Sequence, residues 1–254
     1  MHSPSFRRFA FTALFTVFCV ARAFAQPAGP QPWWPVQARA LPFLHPLFTS
    51  DAVLQREIAA PIWGWASPGD KITVQIDGKV AGAATAGADG MWRTKLGPFV
   101  AGGPHTLVIE GGGRKETLTN VLFGDVWLCG GQSNMNWPVR LAQNGEEEVR
   151  RATNANIRSF TVSFYSALTP EKLPPPARWE ACVPELARQF SAVGYFFARE
   201  IEATQKIPIG IIHSSAGATA AEAWLSADAL RREMPFDFRE RLEELDKTGC
   251  LVGS

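Results

Sequence analysis

From Leu41 to about Leu118 short apolar or β-branched runs alternate with turn signals. The runs include Ile62-Trp63-Gly64-Trp65, Ile72-Thr73-Val74-Gln75-Ile76 and His105-Thr106-Leu107-Val108-Ile109. Ser67-Pro68-Gly69-Asp70, Asp77-Gly78, Ala88-Asp89-Gly90 and Ala101-Gly102-Gly103-Pro104 punctuate them. Asp-Gly between strand-like runs signals a hairpin, and many short strands at this spacing predict a small all-β sandwich over residues 41–118. The texture changes near Asn120. Val121 to Cys129 is a near-continuous apolar run, the pattern of a parallel strand covered on both faces. Ile157 to Ser163 is a second strand and Ile207 to His213 a third. Between them Val193, Phe196, Phe197 and Ile201 fall at helical spacing over Ser191 to Gln205, with Ser191 as N-cap. Strand, helix, strand in this order predicts a βαβ unit within residues 119–254. A doubly wound sheet takes about five strands, so with three the α/β part reads as incomplete. Over 235–247 a charged amphipathic helix is expected, with Arg239, Glu240, Glu243 and Glu244 on a solvated face.

The amino terminus has the layout of a secretory signal. Arg7 and Arg8 precede a short apolar run from Phe9 to Val20, and Ala23-Phe24-Ala25 is a small-x-small cleavage site. The run is too short for a convincing membrane span. Cleavage is expected after Ala25, leaving a Pro/Gly-rich linker over 26–40 and an exported, periplasmic or secreted protein with no membrane contact. Apolar residues make up 46% of the chain, enough for a packed core. A net charge of +1 gives no electrostatic case for nucleic acid as a partner. Once Cys19 leaves with the signal, Cys129, Cys182 and Cys250 remain, an odd set without metal-like spacing. Neither a disulfide framework nor a metal site is expected. Cys129 reads as a buried strand residue.

The chemistry centres on Gly124-Asp125-Val126-Trp127-Leu128-Cys129-Gly130-Gly131-Gln132-Ser133-Asn134-Met135. An apolar strand ends in two glycines and hands over to a polar triplet, placing Ser133 at the carboxyl end of a sheet strand, where reacting groups of α/β folds sit. The common Gly-x-Ser-x-Gly signature fails at its last position, where Met135 stands. On spacing alone Ser133 is either a nucleophile or an ordinary turn or N-cap serine.

The same segment resembles the nucleophile block of the sialate O-acetylesterase family, within the SGNH hydrolases. Leu47-Phe48-Thr49-Ser50-Asp51-Ala52-Val53-Leu54-Gln55-Arg56 is similar to the family's opening segment. Trp63 to Gly69, Asp89-Gly90-Met91-Trp92, Phe190 to Arg199 and Pro208 to Ile212 follow in the family's order. The resemblance covers about Leu41 to Ser226 and concerns the family's amino-terminal portion. It implies an SGNH-type three-layer α/β fold with a parallel sheet, preceded by the β-sandwich, and hydrolysis of acetyl esters on sugars without a cofactor. It implies Ser133 as nucleophile, with its N–H and that of Gly217 as oxyanion donors. Gln132, Asn134 and Trp137 are expected at the substrate cleft, Asn134 bracing the turn and Trp137 either offering a sugar-stacking face or buried in the core. The family's Gly-Gly-Thr segment reads Gly217-Ala218-Thr219 here, and an alanine at the second position resists positive φ.

Two family blocks are missing. No Gln-Gly-Glu occurs, and none of the eight aspartates has a histidine three residues later, so the Asp-x-x-His base block is absent. Of the histidines beyond the signal, His45 precedes the opening block, His105 lies in a sandwich strand and His213 ends the third strand. The chain is therefore expected to be truncated and nearly inactive alone. Acetyl xylan esterase chemistry and a non-catalytic secreted sugar-binding protein are the competing expectations.

Overall fold

The computed structural model describes residues 40–164 and 171–233, together with Glu240 and Glu243. The expected signal segment, nearly all of the linker and most of the helix expected over 235–247 lie outside the described residues. The described residues from Leu41 onward form one compact unit.

Ten strands are described. They are β1 (Val53–Gln55), β2 (Ala60–Trp65), β3 (Lys71–Ile76), β4 (Lys79–Thr85), β5 (Met91–Leu96), β6 (Gly102–Gly111), β7 (Arg114–Gly131), β8 (Asn154–Val162), β9 (Trp179–Cys182) and β10 (Ile209–Ser215). The helices are α1 (Ser133–Asn136), α2 (Gly145–Arg151), α3 (Pro184–Ala187), α4 (Ala192–Gln205) and α5 (Ala227–Glu233). The Asp-Gly cue is met in β3–β4, whose turn holds Asp77 at φ 49° and Gly78 at φ 77°, the paired positive angles of a tight hairpin.

β7 organises the molecule. Eight strands share one sheet in the order β4-β3-β6-β7-β10-β8-β9, with β1 also on β7, while β2 and β5 form a separate antiparallel pair. The first half of β7 pairs antiparallel with β6, and its second half, from Asp125 to Gly131, pairs parallel with β10. The boundary expected at 118/119 thus falls inside a single strand. On its amino-terminal side Ile62, Trp92 and Leu96 of the β2–β5 pair pack against Val74, Ile109 and Phe123 of the large sheet. On the other side Cys129, Ile157 and Ile211 pack with Phe190 and Tyr195. Near the join, Gly124 admits no side chain, because a Cβ would lie 2.1 Å from the carbonyl oxygen of Pro208. Arg56, from the opening segment, is held there by Asp125, with Nε 2.8 Å from Oδ1 and Nη2 3.3 Å from Oδ2. Asp125 therefore ties β1 to β7.

Three expectations are corrected. The sheet is mixed rather than parallel: β7, β10 and β8 run parallel, but β9 closes on β8 antiparallel. β7 is not covered throughout. Val121 to Gly124 are buried, but Trp127 is 43% and Leu128 73% exposed. β1 and β6 stop at Gly124 and Phe123. Beyond them Val126 N–H donates to Gln55 Oε1 at 2.9 Å, and past that point no described strand pairs with this side of β7.

The third correction concerns α4. It begins at the expected cap, Ser191 Oγ accepting from Gly194 N–H at 3.2 Å. Its buried face is made of Ala192, Gly194, Tyr195 and Ala198, while Val193 and Phe197 are exposed. The cause is close approach: a Cβ at Gly194 would lie 3.3 Å from Ile211 Cγ2 and 3.5 Å from Cys129 Sγ. A helix this near its sheet turns small residues inward and displaces large ones to the flanks, where Phe196 and Ile201 pack.

Candidate active site

The turn after β7 is built on glycine. Gly131 adopts φ 148°, and a Cβ there would stand 3.3 Å from that of Met135, so the chain can double back only without a side chain. Gln132 caps α1 and Ser133 opens it, exposed to solvent. Asn136 N–H donates to Gln132 O at 3.0 Å, and Trp137 N–H to Asn134 O at 3.3 Å. Asn134 therefore braces the turn through its backbone carbonyl.

The loop after β10 closes on this turn from the neighbouring strand. Ser215 is in register with Gly131, and Ala216 N–H donates to Gly131 O at 3.0 Å. Gly217 comes next, with its Cβ position 3.7 Å from the Cβ of Ser133 and 3.8 Å from its Cα. Gln132 Nε2 donates across to Thr219 O, so two hydrogen bonds clasp the loop to the turn. The structure thus brings together Gln132, Ser133 and Gly217, residues 85 positions apart at their extremes. Trp137 stands at the far end of α1, 50% exposed, its Nε1 donating to Leu141 O at 3.0 Å.

Of two further loop residues, Thr219 stands out only in three dimensions, and Ala218 takes the positive φ its side chain resists. Thr219 Oγ1 donates to Ala216 O at 2.8 Å and accepts from Trp224 Nε1 at 2.9 Å. Ala218 sits at φ 60°, in the left-handed region that costs a residue with a Cβ about 1–2 kcal/mol. Replacing Ala218 with glycine is expected to relieve that strain, partly offset by greater entropy of the unfolded chain. The net gain should be up to about 1 kcal/mol, measurable as a raised urea midpoint. An unchanged or lowered midpoint would show that the loop carries no such strain.

None of the three histidines of the described residues is bonded to Ser133. His45 Nδ1 accepts from Leu47 N–H at 3.1 Å, and His105 Nδ1 lies 2.7 Å from Asp77 Oδ2. His213 Nε2 is 2.7 Å from Ser215 Oγ, and its buried Nδ1 has no hydrogen-bond partner among the described residues. Burial pushes His213 and His45 below the ordinary 6.5, with nearby backbone groups opposing the shift only in part. Both are thus held neutral in the native state, whereas the unfolded chain takes up protons near pH 6.5. Their contribution is full above about pH 6.5 and is lost as pH falls from there towards the lowered native values. Stability should decline at up to about 1.4 kcal/mol per pH unit for each residue. Urea titrations between pH 7.5 and 5 would show it, and His213→Gln should flatten part of the slope; identical slopes would exclude His213 as a source. Burial also raises the Cys129 thiol, which disfavours a thiolate there.

No family model matches the chain. Human sialate O-acetylesterase is 34% identical over 201 residues, covering 72% of this chain and 38% of that protein. The rat enzyme of the same name is 34% identical over 201 residues, covering 70% and 36%. The crystal structure of a carbohydrate acetylesterase from Xanthomonas citri superposes with a TM-score of 0.72 at 41% identity, over 76% of this chain and 44% of that one. The fold is thus the mixed α/β fold of that carbohydrate acetylesterase. The chain belongs to the sialate O-acetylesterase family, and spans less than two fifths of the length of these curated relatives.

Proposed function

We propose that the chain carries the nucleophile and oxyanion parts of an exported, cofactor-free carbohydrate O-acetylesterase of SGNH type. The observation that carries the reading is the clasped pair of loops that seats Gly217 against Ser133 at the end of two adjacent parallel strands. Ser133 Oγ would attack the acetyl carbonyl. The N–H groups of Ser133 and Gly217 would hold the tetrahedral oxyanion, each worth about 2.7–4 kcal/mol if well aimed. Collapse expels the sugar oxygen, which takes up the proton removed from Ser133, and leaves acetyl-Ser133, which water then hydrolyses to acetate. Both steps need a proton acceptor. None of the described histidines is bonded to Ser133, and no Asp-x-x-His that could supply a base occurs in the sequence.

O-Acetylated sialic acids are the first substrate class, and acetylated xylan the second. A non-catalytic sugar-binding role is the second reading, since none of the described histidines is bonded to Ser133. The test is acetate release from O-acetylated sialic acid and acetylated xylan by the purified chain and by Ser133→Ala. Slow release abolished by the substitution supports the esterase reading. Release that survives Ser133→Ala removes Ser133 from the chemistry, and sugar binding without any release leaves the binding role.

A further inference from the structure

Trp224 closes the turn of 3-10 helix Ala221–Trp224, directly after the loop that meets Ser133. Its ring is 44% exposed, yet its only polar atom is satisfied internally, Nε1 donating to Thr219 Oγ1. Thr219 is itself fixed: its hydroxyl is directed to Ala216 O and its carbonyl accepts from Gln132, the residue before the nucleophile. One hydrogen-bonded relay, Gln132–Thr219–Trp224, therefore mounts an indole on the nucleophile turn. What it presents to solvent is ring surface, with no donor left to offer. Trp137 repeats the device from the other segment, its Nε1 spent on Leu141 O and its ring half exposed at the end of the helix that Ser133 opens. An exposed indole with its N–H internally bonded offers its face to C–H surface or a cation, and its fixed mount means little entropy is lost when a partner arrives. The face of a pyranose ring, all C–H, is such a partner, and its hydroxyls stay in water.

We propose that Trp224 is a carbohydrate-stacking residue on the loop that meets Ser133, and that Thr219 is its positioning residue, so that the site takes acetylated oligosaccharides. The proposal rests on the esterase reading for its ligand class, but its test needs no turnover. The Ser133→Ala chain, which cannot acylate, is titrated calorimetrically with acetylated xylo-oligosaccharides and with an O-acetylated sialyl-oligosaccharide. Trp224→Ala in that background is expected to raise Kd about tenfold or more, the scale of an aromatic anchor. Trp224→Phe, which keeps a ring, should stay within about threefold, and Thr219→Val should fall between, because the ring stays but loses its mount. Melting temperatures should move by no more than about 2 °C, as for a surface residue. Binding unchanged by Trp224→Ala, equal losses in the Ala and Phe variants, or no binding by the Ser133→Ala parent would each overturn the subsite. If the subsite holds while the unsubstituted chain releases no acetate, the esterase reading alone fails for this chain.

Discussion

Side by side on p-nitrophenyl acetate, the 254-residue chain is expected to turn over about 10²–10⁴-fold more slowly than the Xanthomonas citri carbohydrate acetylesterase, the factor a positioned base contributes. The gap follows from what surrounds Ser133. The glycine turn, the clasped loop and Gly217 are in place, so stabilisation of the oxyanion should survive and leave a rate above that of water. Proton removal should not: His45, His105 and His213 are bonded to Leu47, Asp77 and Ser215. The residual rate should vanish in Ser133→Ala. A rate matching the solved esterase would mean that a base does reach Ser133 within these residues.

Trp92→Ala is expected to cost about 3–5 kcal/mol, a large part of the 5–15 kcal/mol that holds a typical domain. Trp92 is fully buried in the core between the β2–β5 pair and the large sheet, with its ring centroid 5.9 Å from that of Phe43. Its Nε1 donates to Phe43 O at 2.8 Å. Truncation opens a cavity the size of an indole between two β layers, where neither layer can relax without breaking its ladder. Trp92→Phe keeps most of the volume and should lose clearly less. Chemical denaturation would measure both, and a loss below about 1 kcal/mol for alanine would mean that the layers close over the gap.

The sequence carried the local features well and the long-range ones poorly. The Asp77-Gly78 hairpin, the Ser191 cap and the three α/β strands were legible because turn chemistry, capping and apolar runs are short-range signals. The strand β9 was not. Trp179 to Cys182 is four residues long with a glutamate inside, too short to show a period. Nor was the inward face of α4, because residue size along a helix says nothing about how near the sheet lies. The site shows the same division. Ser133 and Gly217 could be named from the motif each sits in. Their meeting depends on β10 lying beside β7, and the mounting of Trp224 on Thr219 depends on that contact in turn. Arg158 was missed altogether. A buried arginine bonded to Ala155 O and to the Asn120 backbone and side chain looks, in one dimension, like any surface charge.

The open side of β7 beyond Val126 has a practical consequence for anyone handling the protein. An edge that no described strand pairs beside Leu128, together with the exposed ring of Trp127, makes a short adhesive strip. A solution of the chain should therefore behave as a sticky colloid, its scattering intensity per molecule rising with concentration, and Leu128→Lys should suppress that rise. A flat scattering ratio in the unsubstituted chain would show the strip to be inert.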